Sequence, residues 1–131
     1  MTTGYARTVQ VAAGFEETVE ATRVALAGEG FGVLCEIDVQ ATMKAKLGLD
    51  RDPYLILGAC NPPLAHQALD AEPEIGVLLP CNVVVWVRDG VTQVSAVAAD
   101  RMLQMVGNDA LAPLADEVSA RLGRVLERVS G

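Results

Sequence analysis

Val83-Val84-Val85-Trp86-Val87-Arg88-Asp89-Gly90-Val91-Thr92-Gln93-Val94-Ser95-Ala96-Val97-Ala98 is the stretch whose reading decides the fold. β-Branched and aromatic residues fit a pleated, half-buried surface, and Val83 to Val87 is almost nothing else. Asp89-Gly90 then supplies the two positive-φ residues of a tight two-residue turn, so the segment reads as a β-hairpin returning through Val91 to Ala98. Working upstream, Tyr54 to Gly58 is a strand after Asp52-Pro53, and Tyr5 to Val11 is another. Between them Phe31, Val33, Cys35 and Ile37 alternate with Gly32, Leu34, Glu36 and Asp38. That period of two predicts a strand with one apolar face, on which Cys35 is a small buried hydrophobe.

Helical spacing fills the intervals. Phe15, Val19, Thr22 and Leu26 recur on one face after an acidic start at Glu16-Glu17, and Gly28 and Gly30 stop that helix. Asp38 is placed to cap a short helix through Leu47, closed by Gly48. Asn61 followed by Pro62 opens a helix running to about Ala71, while Glu74 to Leu79 carries the chain back to Pro80. Downstream, Asp100 is placed to cap a short helix to Val106. A final helix begins between Asp109 and Pro113, with Leu111, Leu114, Val118, Leu122, Val125 and Val129 on one side and Glu117, Arg121, Arg124 and Arg128 on the other. Five strands and several helices, with no linker and no repeat, read as one α+β domain over residues 1–131.

Composition excludes several classes of function. The chain has 131 residues, 10 Lys+Arg against 17 Asp+Glu and a net charge of -7. No basic run is interleaved with aromatics, so neither nucleic acid nor an anionic membrane surface is an expected partner. The most apolar stretch, Val77 to Val87, is broken by Pro80 and Asn82 and is far shorter than the roughly 20 residues of a membrane helix. Met1 to Gln10 lacks the apolar core of a signal peptide, which makes the cytoplasm the expected location. Three cysteines in such a chain read as free thiols or ligands rather than a disulfide framework.

Two of them share a setting. Cys60 stands in Gly58-Ala59-Cys60-Asn61-Pro62-Pro63 and Cys81 in Leu78-Leu79-Pro80-Cys81-Asn82, each at a strand end and each followed by asparagine. A cysteine ahead of a helix start is where a thiolate is favoured, which makes Cys60 the candidate nucleophile and Cys81 its partner. Pro62 and Pro63 remove two backbone donors from that helix start, and no lysine or arginine is close in sequence. Asn61 reads as the helix cap and Asn82 as a side chain satisfying backbone beside Pro80; both are candidate ligand-binding residues. If the strands leading to Cys60 and from Cys81 are parallel, the thiols lie roughly 15–20 Å apart; if antiparallel, they meet at one sheet edge.

Other motifs yield less. Gly28-Glu29-Gly30-Phe31-Gly32 follows a helix and precedes a strand, the reverse of the order in a dinucleotide site. A zinc site of Cys60, Cys81 and His66 is disfavoured because His66 lies well into its helix, roughly 6–9 Å along the axis from Cys60. No cofactor or metal is expected. Met102 and Met105 read as core or dimer contacts, and Trp86 as core or as the wall of a pocket.

The stretches Tyr54-Leu55-Ile56-Leu57-Gly58-Ala59-Cys60-Asn61-Pro62 and Gly76-Val77-Leu78-Leu79-Pro80-Cys81-Asn82-Val83-Val84-Val85 resemble the family called domain of unknown function 302. The likeness extends from about Phe15 to Leu126. It implies a β-α-β-β-β-β-α fold with inserted helices, a mainly antiparallel sheet of about five strands, helices on one face, and a homodimer. It also implies that the Cys60 and Cys81 strands are antiparallel, and it suggests thiol or sulfur chemistry without supplying a reaction. Two functional expectations follow: a two-cysteine thiol site for redox or for handling reactive sulfur and electrophiles, or a non-catalytic module that binds a small molecule or a second copy and whose cysteines are structural.

Overall fold

A computed structural model describes residues 3–131 of the chain. Five strands form a single sheet: β1 (Ala6–Val11), β2 (Gly32–Asp38), β3 (Tyr54–Cys60), β4 (Cys81–Arg88) and β5 (Val91–Val97). Their order is β1-β5-β4-β3-β2, and every pairing is antiparallel. The helices are α1 (Phe15–Gly28), α2 (Val39–Leu47), α3 (Pro62–Ala71), α4 (Ala99–Gln104) and α5 (Ala112–Ser130), with short 3-10 turns at Pro73–Leu78 and Asp109–Leu111. The fold is therefore α+β, as the hairpin and the alternating strands require.

The hairpin closes as its chemistry dictates. Asp89 has φ 52° and Gly90 φ 76°, the paired left-handed conformations of a type I′ turn, which only small or Asn/Asp residues accept cheaply. Alternation along β4 sends Val83 and Val85 to one face, where both are fully buried, and sends Asn82, Val84 and Trp86 to the other. α1 and α5 pack on the first face. Their buried stripes, Val19, Ala25 and Leu26 on α1 and Val118, Leu122, Val125 and Leu126 on α5, meet Leu57, Ala59, Val94 and Ala96 of the sheet. A smaller apolar cluster lies beyond the sheet end, made by Ala68, Ile75, Leu103, Leu111 and Ala115.

Three local expectations need correction. Val33 pairs with Ala59 but Cys35 pairs with Gly58, so Leu34 is an extra residue forming a β-bulge. A bulge resets alternation, and β2 is an edge strand, so Cys35 is exposed rather than buried. Next, Asp100 does not cap α4, whose N-cap is Ala98; it sits inside the helix and takes a bidentate ion pair from Arg7 of β1 at 2.9 and 3.0 Å. Ser119 of α5 donates to the same carboxylate at 3.2 Å, tying β1, α4 and α5 together. Finally, β3 continues two residues past Gly58, so Cys60 is its last residue.

Candidate functional site: a sulfur-lined apolar pocket

Antiparallel pairing brings the end of β3 against the start of β4, with Ala59 directly opposite Cys81 and Cys60 one residue further on. Strand spacing of about 4.8 Å and a rise of about 3.3 Å put the Cα atoms of Cys60 and Cys81 about 6 Å apart. Both side chains are half-buried, and all three cysteines of the chain are free. Strict alternation would send Cys60 to the face opposite Cys81. Cys60 is the last residue of β3, however, and both cysteines line one pocket.

That pocket has a volume of about 300 Å³ and lies where the two apolar clusters fail to close on one another. Its walls come from β3 and β4 (Ala59, Cys60, Cys81), from α3 (Leu64, Ala65, Ala68) and from α4 and α5 (Met102, Leu114, Val118), with Phe31, Leu34, Ile75 and Pro80 among the other residues that line it. The Leu79–Pro80 peptide is cis. Almost every lining group is hydrocarbon or sulfur.

The electrostatics of the two thiols follow from this setting. Burial pushes the Cys81 thiol up to about 11, and the neighbouring Cys60 adds to the shift, because a thiolate there would lose water and gain no counter-charge. Cys81 is accordingly a neutral thiol at pH 7. No lysine or arginine lines the pocket. α3 gives no compensating cluster of donors: Pro62 and Pro63 have no N–H, the Leu64 amide donates to Asn61 Oδ1 at 3.4 Å, and the Ala65 amide donates to Asn61 O at 2.9 Å.

The two asparagines separate. Asn61 is 7 % exposed and caps α3 as expected, and its Nδ2 also reaches the Glu29 carbonyl at 3.5 Å, fastening the helix start to the end of α1. Asn61 also lines the pocket. Asn82 pairs with Gly58 and points to the opposite sheet face, away from the thiols, in a shallow depression with Tyr54, Val84, Trp86 and Ser95. His66 is 77 % exposed and faces Asp70 rather than either cysteine. Met102 is the pocket residue whose chemistry the sequence did not bring forward. Its spacing with Met105 marked a helix face, whereas membership of the pocket depends on how α4 docks beside β4.

Gly58 is required by this corner. A Cβ there would stand 2.5 Å from Cys35 Sγ and 3.0 Å from the Pro80 ring, so only glycine lets the bulged strand and the proline close over β3.

The sequence model of a family described as domain of unknown function DUF302 matches residues 7–129. Among solved structures, the chain is similar to an uncharacterized conserved DUF302 protein from Bacillus stearothermophilus, at 34 % identity and a TM-score of 0.89. The match covers 95 % of this chain and 97 % of that one. No curated protein matches the chain.

Proposed function

The chain belongs to the DUF302 family, and because that membership brings no activity, we propose from the pocket itself that the domain binds a small apolar molecule beside a pair of free thiols. One observation carries the reading: Cys60 and Cys81, the two cysteines in matching sequence settings, open onto the same apolar pocket of about 300 Å³. Binding takes precedence over thiol catalysis because Cys81 is protonated at neutral pH and no cation is present to stabilise a thiolate. Within this reading Cys60 and Cys81 are contact residues, able to capture an electrophilic occupant, and Asn61 positions the α3 wall. Asn82 belongs to the other sheet face and does not contribute to the pocket.

Titration with the apolar fluorophore N-phenyl-1-naphthylamine tests it. Saturable enhancement is expected in the native chain and in Cys60→Ser/Cys81→Ser, and loss is expected in Ala65→Phe, where a ring on α3 fills the space. Absence of saturable binding, or binding undiminished in Ala65→Phe, would refute the proposal.

A specific observation also favours a homodimer. The sheet face opposite α1 and α5 presents Thr8, Ser95, Val84, Trp86, Ile56 and Ile37, with charge gathered at the hairpin end, where Arg88 lies with Asp50, Arg51 and Asp52, in a chain with 27 charged residues. Two copies of an acidic protein can meet there without like-charge contact, and an isologous contact is self-complementary by construction. Light scattering after size-exclusion chromatography should give a dimer that Val84→Arg dissociates; a native monomer at 100 μM would oppose it. We assign the protein to the cytoplasm on its three unpaired thiols. No helix among the described residues is long and apolar enough to cross a membrane.

A further inference from the structure

The chemistry of the pocket is narrower than apolarity alone. Apart from the Asn61 amide, which is engaged at the helix cap, every side-chain heteroatom on its wall is sulfur: Cys60, Cys81 and Met102. Neither imidazole nor carboxylate lines it. Among the described residues no three His, Cys, Asp or Glu are grouped to hold a metal ion. Two thiols and a thioether are instead the donor set of a soft ion that accepts two or three ligands.

Strand pairing sets Cys60 one residue beyond the partner of Cys81 on the adjacent strand, and both line the pocket with Met102. With the two Cα atoms about 6 Å apart, an ion bridging two sulfurs by bonds of about 2.3 Å needs the sulfurs separated rather than bonded. The thiols are indeed free. Hydrocarbon walls exclude water, which favours a weakly hydrated cation over a hard one.

We propose that Cys60 and Cys81 together bind one soft monovalent cation, Cu(I) being its biological representative, with the Met102 thioether as a third donor. This rests on the same pocket as the proposed function, though not on its organic occupant. Two S–H bonds break, two Cu–S bonds form, both protons pass to solvent and copper stays at +1. The resulting site carries one negative charge, to which the thioether adds none. Because both thiols must lose protons, affinity rises with pH.

The test is an anaerobic titration of the full chain with Cu(I) against bicinchoninate at pH 6.5 and 7.5. One ion per chain is expected to leave the competitor, more tightly at the higher pH. Cys60→Ser and Cys81→Ser should each weaken retention about 100-fold, Met102→Leu about tenfold and Cys35→Ser not at all. Prebound Cu(I) should also shield Cys60 and Cys81, but not Cys35, from iodoacetamide in the native protein, a readout independent of any variant's folding. Failure to withdraw copper, retention in the Cys60→Ser/Cys81→Ser protein, or shielding confined to Cys35 would overturn the inference. Wild-type binding of N-phenyl-1-naphthylamine without copper uptake would do so too while leaving the pocket reading intact.

Discussion

Replacing Cys81 with alanine should change how stability depends on pH, in a direction that the pocket dictates. The folded chain holds this thiol at about 11 against an ordinary value of 9.0, so the folded state binds the proton more tightly than the unfolded one. Stability from this source is fully present below pH 9. It drains away as pH rises, because the unfolded thiol ionises first, and it is gone above the folded value. A shift of two units corresponds to about 2.7 kcal/mol, of which about 2 kcal/mol would be lost by pH 10.5. Partial exposure of Cys81 lowers that ceiling, so a realistic range is about 1–2 kcal/mol. Urea unfolding at half-unit steps from pH 7.5 to 10.5, on the native chain and on Cys81→Ala, isolates the effect, since tyrosine and lysine titration is common to both. Alanine should be the less stable at pH 7.5, because it leaves a gap beside the pocket, and the difference should shrink as pH rises. A difference that stays constant across the range would refute the claim that burial without a counter-charge governs this thiol.

Asp100→Asn should cost about 1–2 kcal/mol at pH 7, read by urea unfolding, because it breaks a half-buried bidentate pair with Arg7 and the Ser119 bond. The Arg7 guanidinium holds the Asp100 carboxyl below its usual range, so the native advantage should persist above pH 4 and vanish as pH falls through the folded value. Gly58→Val should destabilise by several kcal/mol or prevent folding, because its Cβ meets Cys35 Sγ and the Pro80 ring, and Cys35→Ala should restore only part of the loss since the ring remains. A cationic methanethiosulfonate should modify Cys35 first and Cys81 last in a time course read by peptide mass spectrometry, because Cys35 is exposed and Cys81 is a neutral, half-buried thiol.

Where local chemistry governed, the fold was legible from residues alone. Asp89-Gly90 demanded a turn with positive φ at both positions, Asp38 and Gly48 bracketed α2, and Asn61-Pro62 began α3, each a decision taken within four residues. The misreadings arose where a distant partner intervened. Cys35 looked buried because alternation was carried straight through Leu34, and the bulge exists only in relation to β3, whose Gly58 leaves room for it. Asp100 looked like a cap because it precedes a helix, but the Arg7 fork comes from a strand 93 residues away. Met102 gave no local sign of the pocket for the same reason.

The repeated Cys-Asn motif shows how far such local reading reaches. The two copies are alike in sequence, yet one asparagine caps a helix and the other faces away across the sheet, because the first copy ends a strand and the second begins one. Strand direction, not the motif, brings the two cysteines together. β3 and β4 run antiparallel, so the residue that ends one and the residue that begins the other share a single sheet edge, and α3 must turn away over that edge to leave room for the return through Pro80. The pocket is the space this turn leaves between the sheet core and the smaller cluster formed by α3, α4 and the start of α5. Had the same two segments paired in parallel, each cysteine would have ended as a packing residue at its own end of the sheet. The closeness of Cys60 and Cys81 is thus a product of topology, and a Cys81 thiol held neutral by hydrocarbon walls, with no cation lining the pocket, supports the proposed binding role over a nucleophilic one.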